Sequence, residues 1–134
     1  AATTISEEAL RQRLSSWNSP LEDQASLLLR SPYWPTILGI CVIEQYHCSR
    51  LPGGNNWNLW GIGGAGGLQF YATPEEGIAA INDWLAAHES AHPTVESLNG
   101  YYCYNGNYPG GLCPGWTQIV LKTKLLLENG NPSQ

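Results

Sequence analysis

Glu44 is the side chain with the strongest claim to chemistry. It is the only carboxyl in Thr36-Ile37-Leu38-Gly39-Ile40-Cys41-Val42-Ile43-Glu44-Gln45-Tyr46-His47, a stretch that is otherwise almost entirely apolar. Read as a helix at about 100° per residue, this stretch puts Ile37, Ile40, Cys41 and Glu44 on one side. A carboxylate buried without a partner is costly, so such a group stays protonated or lines a cavity. A carboxyl held protonated near neutral pH is what a general acid needs. The structural alternative is a Glu at a helix end that reaches water or caps a neighbouring loop.

His88-Glu89-Ser90-Ala91-His92 has the H-E-x-x-H pattern of zinc peptidases. On a helix its two histidines face one way and can hold zinc, with Glu89 as base. A third ligand is needed. Val95 and Leu98 occupy the region where a nearby histidine would stand, which leaves Glu96 and Glu128 as candidates. Pro93 follows at once and biases His92 away from the helix. The histidines also continue an Ile78, Ile81, Leu85 stripe, so packing at a helix end accounts for them. The reading assigns no metal and no cofactor.

These groups need helices to position them. Ser6 caps a first helix, with Glu7 and Glu8 in its first turn and Ile5 packing on Leu10. Ser19-Pro20-Leu21-Glu22 predicts the start of a second: a cap, Pro at the first helical position, and Glu three after the cap. Ser31-Pro32-Tyr33-Trp34-Pro35 turns into the central Glu44 helix. Gly61-Ile62-Gly63-Gly64-Ala65-Gly66-Gly67 has loop composition, and Leu68-Gln69-Phe70-Tyr71 reads as a short extended piece. Thr73-Pro74-Glu75-Glu76 is a capping box opening a helix to about His88, which gives both acids a structural task. Asn99 to Cys113 is a Tyr/Gly/Asn loop. Cys113-Pro114-Gly115-Trp116 starts a last helix, and Asn129-Gly130 stops it.

The 134 residues fit one domain, 1–134, with a sizeable core. Charged residues make up 13% and apolar ones 43%, as in a globular chain. Six Lys and Arg against eleven Asp and Glu leave a net charge of -5. No basic patch meets phosphates, so nucleic acid is excluded as a partner. No apolar run reaches about 18 residues, so no membrane span is expected. Six Trp and seven Tyr are many for this length; they fill cores or line sugar-binding grooves.

Four cysteines in a short chain point to an exported, disulfide-bearing domain. Cys103 and Cys113 flank a Gly/Asn/Pro-rich loop and look like a local staple. Cys41 then pairs with Cys48. Seven residues of unbroken helix span about 10 Å, beyond disulfide reach, so the central helix must end near Tyr46.

The order of these segments resembles a known family. A buried helix ending in Glu44 is followed by Asn56-Trp57-Asn58-Leu59-Trp60-Gly61-Ile62. Next come Phe70-Tyr71-Ala72-Thr73-Pro74-Glu75-Glu76-Gly77-Ile78 and a helix through Trp84-Leu85. This is similar to the lysozyme-like superfamily of peptidoglycan glycosidases, most of all to the endo-β-N-acetylglucosaminidases of glycoside hydrolase family 73. Cys113-Pro114-Gly115-Trp116 resembles that family's late D-P-x-W element. Gly66-Gly67-Leu68-Gln69 is similar to a Gly-Leu-Met-Gln segment of lytic transglycosylases. The resemblance covers roughly Ile37 to Leu121.

The resemblance implies a mainly α, lysozyme-like helical domain with a short β/loop insert lining a groove. Glu44 would be the general acid, and Asn58, Trp60, Gln69 and Tyr71 would line the saccharide groove. One of Tyr101, Tyr102, Tyr104 or Tyr108 would be the late active-site tyrosine. The implied partner is bacterial cell-wall glycan, cut at β-1,4 bonds between N-acetylhexosamines by a secreted or cell-envelope monomer. Glycosidic cleavage needs an acid on the leaving oxygen and a group that stabilises the oxocarbenium-like state. Core filling is the alternative for Trp57 and Trp60, and a plain loop for the Asn/Gly segment. Two other functions stay open: a zinc metallopeptidase at His88–His92, and a lysozyme-like domain that binds glycan without cutting it.

Overall fold

In the computed structural model, residues 5–64 and 66–129 are described. Their architecture is mainly helical, with one very short hairpin. Helix α1, Glu7–Ser16, starts where Ser6 Oγ accepts from Ala9 N at 3.0 Å, and Ile5 is buried beside it. The second helix begins later than its cap suggests. Ser19 Oγ accepts from Leu21 N at 3.1 Å, closing a turn. A 3₁₀ turn, Glu22–Gln24, precedes a short α2, Ala25–Leu29.

Helix α3, Trp34–Glu44, is the axis of the fold. Ile37, Leu38, Ile40 and Cys41 are fully buried on it. It stops at Glu44 rather than running to His47. Tyr46, His47 and Cys48 all take left-handed φ values, 47°, 61° and 59°. This reversal brings Cys48 back to Cys41, with Cα atoms 4.8 Å apart, and the two form a disulfide. Cys103 and Cys113 form the other, so both expected pairings are present.

Helix α6, Trp116–Glu128, packs directly on α3. The approach is close because Gly39 has no side chain. A Cβ there would stand 2.9 Å from Val120 Cγ1 and 3.1 Å from Val120 O. Buried apolar side chains from α1, α2, α3, α4 and α6 form one cluster, with Leu10, Leu28, Ile37, Ile81 and Val120 among its members. No helix among the described residues is long and apolar enough to cross a membrane.

Between α3 and α4 the chain makes a compact insert. Strands β1, Gly63–Gly64, and β2, Gly67–Leu68, pair antiparallel, Gly63 opposite Leu68 and Gly64 opposite Gly67. Two strand residues each are too few to hold the insert alone. Asparagine side chains do much of that work. Asn56 Oδ1 accepts from Asn58 N and Tyr71 N, both at 3.0 Å, and its Nδ2 donates to Gln69 O. Asn58 Nδ2 donates to Ile62 O and Gln69 O at 2.9 Å, and its Oδ1 accepts from Ile62 N.

Helix α4, Pro74–His88, has the expected ends. Thr73 Oγ1 accepts from Glu76 N at 3.2 Å, while Glu76 Oε2 accepts from Ala72 N, one residue earlier than a standard capping box. Gly77 lets α4 press against the insert: a Cβ there would fall 2.0 Å from Trp57 O. Helix α5, Val95–Leu98, is one turn long and was not expected within this region. Thr94 and Ser97 cap it reciprocally.

Candidate active site

Glu44 is the last residue of α3 and is half-buried. Burial holds its carboxyl above the usual carboxylate range. The C-terminal end of a helix is also the end that disfavours negative charge. Gly61 and Trp116 adjoin this carboxyl, Tyr102 feels its charge, and Tyr71 is coupled to Tyr102.

Gly61 comes nearest from the insert. At φ +71° it occupies the left-handed region, and a Cβ on it would stand 3.4 Å from Glu44 Oε1. Nothing larger than hydrogen covers that side of the carboxyl from this residue.

Tyr71 and Tyr102 are both half-buried. Tyr71 is set by its own backbone, with N bonded to Asn56 Oδ1 and O accepting from Trp57 N at 2.9 Å. Tyr102 donates its hydroxyl to Trp60 O. Burial, then the charge on Glu44, then Tyr71 push the Tyr102 hydroxyl far above its ordinary range. Tyr102 therefore stays a neutral donor, and its electrostatics place it with Glu44 and Tyr71 in one group.

Trp116 opens α6 and is buried, its ring centroid 5.9 Å from that of Tyr102. Its indole N–H favours the Glu44 carboxylate and offsets part of the upward shift. Yet it makes no hydrogen bond of regular geometry among the described residues.

The late loop is tied down so that Tyr102 and Trp116 keep their places. Cys103, next to Tyr102, is bonded to Cys113, and Trp116 N donates to Cys113 O at 3.2 Å. Asn99 adds a second tie: Cys113 N donates to its Oδ1 at 2.7 Å, and its Nδ2 donates to Cys113 O and Thr117 Oγ1.

Two residues expected in a saccharide groove belong elsewhere. Asn58 is fully buried and spends its amide on Ile62 and Gln69 backbone. Trp60 is fully buried too, and its Nε1 donates to Ile37 O at 2.8 Å. Neither offers a surface to a ligand; both hold the insert against α3. Gln69 is exposed, as are Tyr101, Tyr104 and Tyr108. Among these, Tyr101 connects to the Glu44 group through rings, tilted against Trp84, which meets Tyr102 edge-on at 4.9 Å.

The H-E-x-x-H residues are engaged in packing. His88 stacks on Trp84 at 4.0 Å and His92 on Tyr101 at 4.1 Å. The His88 Nδ1 is bonded to Trp84 O and the His92 Nδ1 to Ser97 O. Glu89 accepts from the Tyr33 hydroxyl at 2.6 Å. Helix α4 ends at His88, so the motif straddles a helix end. No group of three His, Cys, Asp or Glu side chains suited to a metal ion forms among the described residues.

Gly61 and Trp116 carried no assigned role in the sequence reading. The signal for Gly61 is a glycine directly after a large aromatic in a tight loop, where a left-handed φ is needed. Trp116 stands at the start of an apolar helix, and nothing local marks it as a neighbour of Glu44. Compared with protein-family models, curated proteins and solved structures, the chain matches none of them.

Proposed function

We propose that this chain is a lysozyme-like glycosidase that cleaves β-1,4 bonds between N-acetylhexosamines of peptidoglycan, with Glu44 as general acid. The observation that carries the reading is a half-buried carboxyl with a raised pKa, beside Gly61 and Trp116 and coupled to Tyr102. A carboxyl of this kind keeps its proton at pH values where an exposed Glu has lost it. It then protonates the glycosidic oxygen, the bond from that oxygen to the anomeric carbon breaks, and the leaving sugar keeps the oxygen as a hydroxyl.

The sugar left behind carries positive charge at the anomeric carbon. Burial raises the Glu44 pKa and Trp116 offsets part of the rise, with no second carboxylate contributing among the described residues. Capture by the substrate's own N-acetyl oxygen, or by one of its hydroxyls, fits a site with a single acid. The two disulfides suit an exported protein.

Mass spectrometry of peptidoglycan digests tests this reading. Cleavage by the wild-type protein, absent in Glu44→Gln, is the expected result, and the fragment ends separate hydrolysis (reducing ends) from transglycosylation (anhydro ends). Intact glycan after prolonged incubation with folded wild-type protein would reject it.

A further inference from the structure

Trp116 is 1% exposed, and its Nε1–H lacks a regular hydrogen bond among the described residues. Buried N–H groups in folded proteins are nearly always paired, so an orphan calls for a reason. Its place on α6 supplies one. Gly39 on α3 meets Val120 on α6. From that contact, Glu44 lies five residues on along α3, and Trp116 four residues back along α6. At about 1.5 Å per residue, Glu44 stands about 7.5 Å and Trp116 about 6 Å along its helix from the shared contact. Since Trp116 acts on the Glu44 carboxyl, the pair lies at about one level beyond that contact.

The indole N–H acts on the Glu44 carboxyl, whose proton burial holds more tightly than an exposed Glu holds its own. A neutral carboxyl is a weak acceptor, whereas a carboxylate is a strong one. We propose that Trp116 is the positioning residue of Glu44, its indole N–H idle beside the protonated carboxyl and hydrogen-bonded to the carboxylate once the proton leaves. Burial and the helix C-terminus both disfavour that carboxylate. Trp116 opposes them and offsets part of the upward shift. The consequence for turnover rests on the glycosidase reading; the pairing itself does not.

Other titratable groups near the pair are few. Tyr71 and Tyr102 are both pushed upward by burial and stay neutral through the acid and neutral range. His88 reaches the pair only through Trp84 and Tyr102. His47 lies in the exposed turn after Glu44, and Lys122 and Lys124 stand further along α6.

Nuclear magnetic resonance on the ligand-free protein decides the matter. With ¹⁵N-labelled tryptophan, the Trp116 indole resonance, assigned through its ring contacts with Tyr102, should move with pH at the pKa of the ¹³C-labelled Glu44 carboxyl. In Glu44→Gln that movement should vanish. An indole that does not respond in the wild type, or that still responds in Glu44→Gln, overturns the proposal; the latter would report His88 or His47.

Replacing Trp116 by β-(3-benzothienyl)alanine keeps the shape of the indole and removes only the N–H. Proton binding by Glu44 should then tighten about tenfold, one pKa unit. The high-pH limb of the turnover profile should move upward by the same factor. An unchanged Glu44 titration in this folded variant also overturns the proposal. If the indole titrates as expected but glycan is never cut, the glycosidase reading falls and the pairing stands. If glycan is cut but the indole does not titrate, the reverse holds.

Discussion

Glu44 Oε1 lies 3.4 Å from the point where a side chain on Gly61 would begin. Gly61 thus leaves one face of the acid uncovered, at a φ of +71° that few other residues adopt. Gly61→Ala should cost about 1–2 kcal/mol of stability through the left-handed backbone. The added methyl would also sit against the carboxyl oxygen, so peptidoglycan turnover should fall by more than stability explains. Urea unfolding and digestion rates measured together check this. Proportionate losses would leave Gly61 with a backbone role alone.

Glu44→Gln keeps the shape and removes the transferable proton. Turnover should drop by roughly 10²–10⁴-fold, the usual range for a general acid. The stability effect has a definite sign. Burial raises the folded-state pKa of Glu44 above its unfolded value, so the native state binds the proton more tightly. Its contribution to stability is full below the unfolded pKa and is lost as pH rises through the folded pKa. Glu44→Gln removes that loss, so the variant should gain on the wild type across this window and beyond. Melting temperatures of both proteins from pH 3 to 8 would show it; parallel curves would contradict the shift.

Asn58 and Trp60 should behave as structural residues. Asn58→Ala leaves Ile62 N without its acceptor, at about 1–3 kcal/mol for a buried unpaired group, while Ile62 O and Gln69 O keep Gln69 N and Asn56 Nδ2 as donors. Trp60→Phe removes the donor to Ile37 O and leaves a gap beside Gly77. Melting temperature and activity should fall together in both. A glycan-binding defect in an Asn58→Ala protein of wild-type stability would return Asn58 to the ligand surface.

The Cys103–Cys113 bridge closes a short loop and holds Tyr102 near Trp116. Replacing both cysteines by Ser should cost about 2–4 kcal/mol. Turnover should fall at temperatures where the variant is still folded, because the tyrosine and the indole lose their common tie. Circular dichroism alongside digestion assays separates the two effects. Full activity in the folded variant would leave the bridge a purely stabilising part.

Glu89 accepts a hydrogen bond from Tyr33, and His88 and His92 are stacked on aromatic rings. Glu89→Gln, and a chelator added to the wild type, should both leave peptidoglycan cleavage unchanged. Loss of activity under either condition would make the metal reading of His88–His92 the better one.

Local signals along the chain carried the helices a long way. Ser6 and Thr73 are caps whose side chains reach their own first turns, so α1 and α4 start where their residues say. The limits of α4 and α6 and both disulfide pairings were also legible, since caps, apolar stripes and short loops act over a few residues. The end of α3 was legible to within two residues: the Cys41–Cys48 pairing put it near Tyr46, and the helix stops at Glu44. The one-turn α5, capped by Thr94 and Ser97, was not expected from the sequence.

The site shows the larger divide. That Glu44 lies among apolar residues followed from periodicity alone. What surrounds it did not, because Gly61, Tyr71, Tyr102 and Trp116 come from segments far apart in sequence and meet only through packing. Close contact of α3 with α6 at Gly39 brings Trp116 to the carboxyl, and the asparagine clamps bring the insert to it. Tertiary structure also turned Asn58 and Trp60 inward. A polar amide amid three backbone groups, and an indole beside the Ile37 carbonyl, are satisfied by the fold itself. Sequence patterning determined which residues avoid water; only the assembled helices decided which of them face the acid.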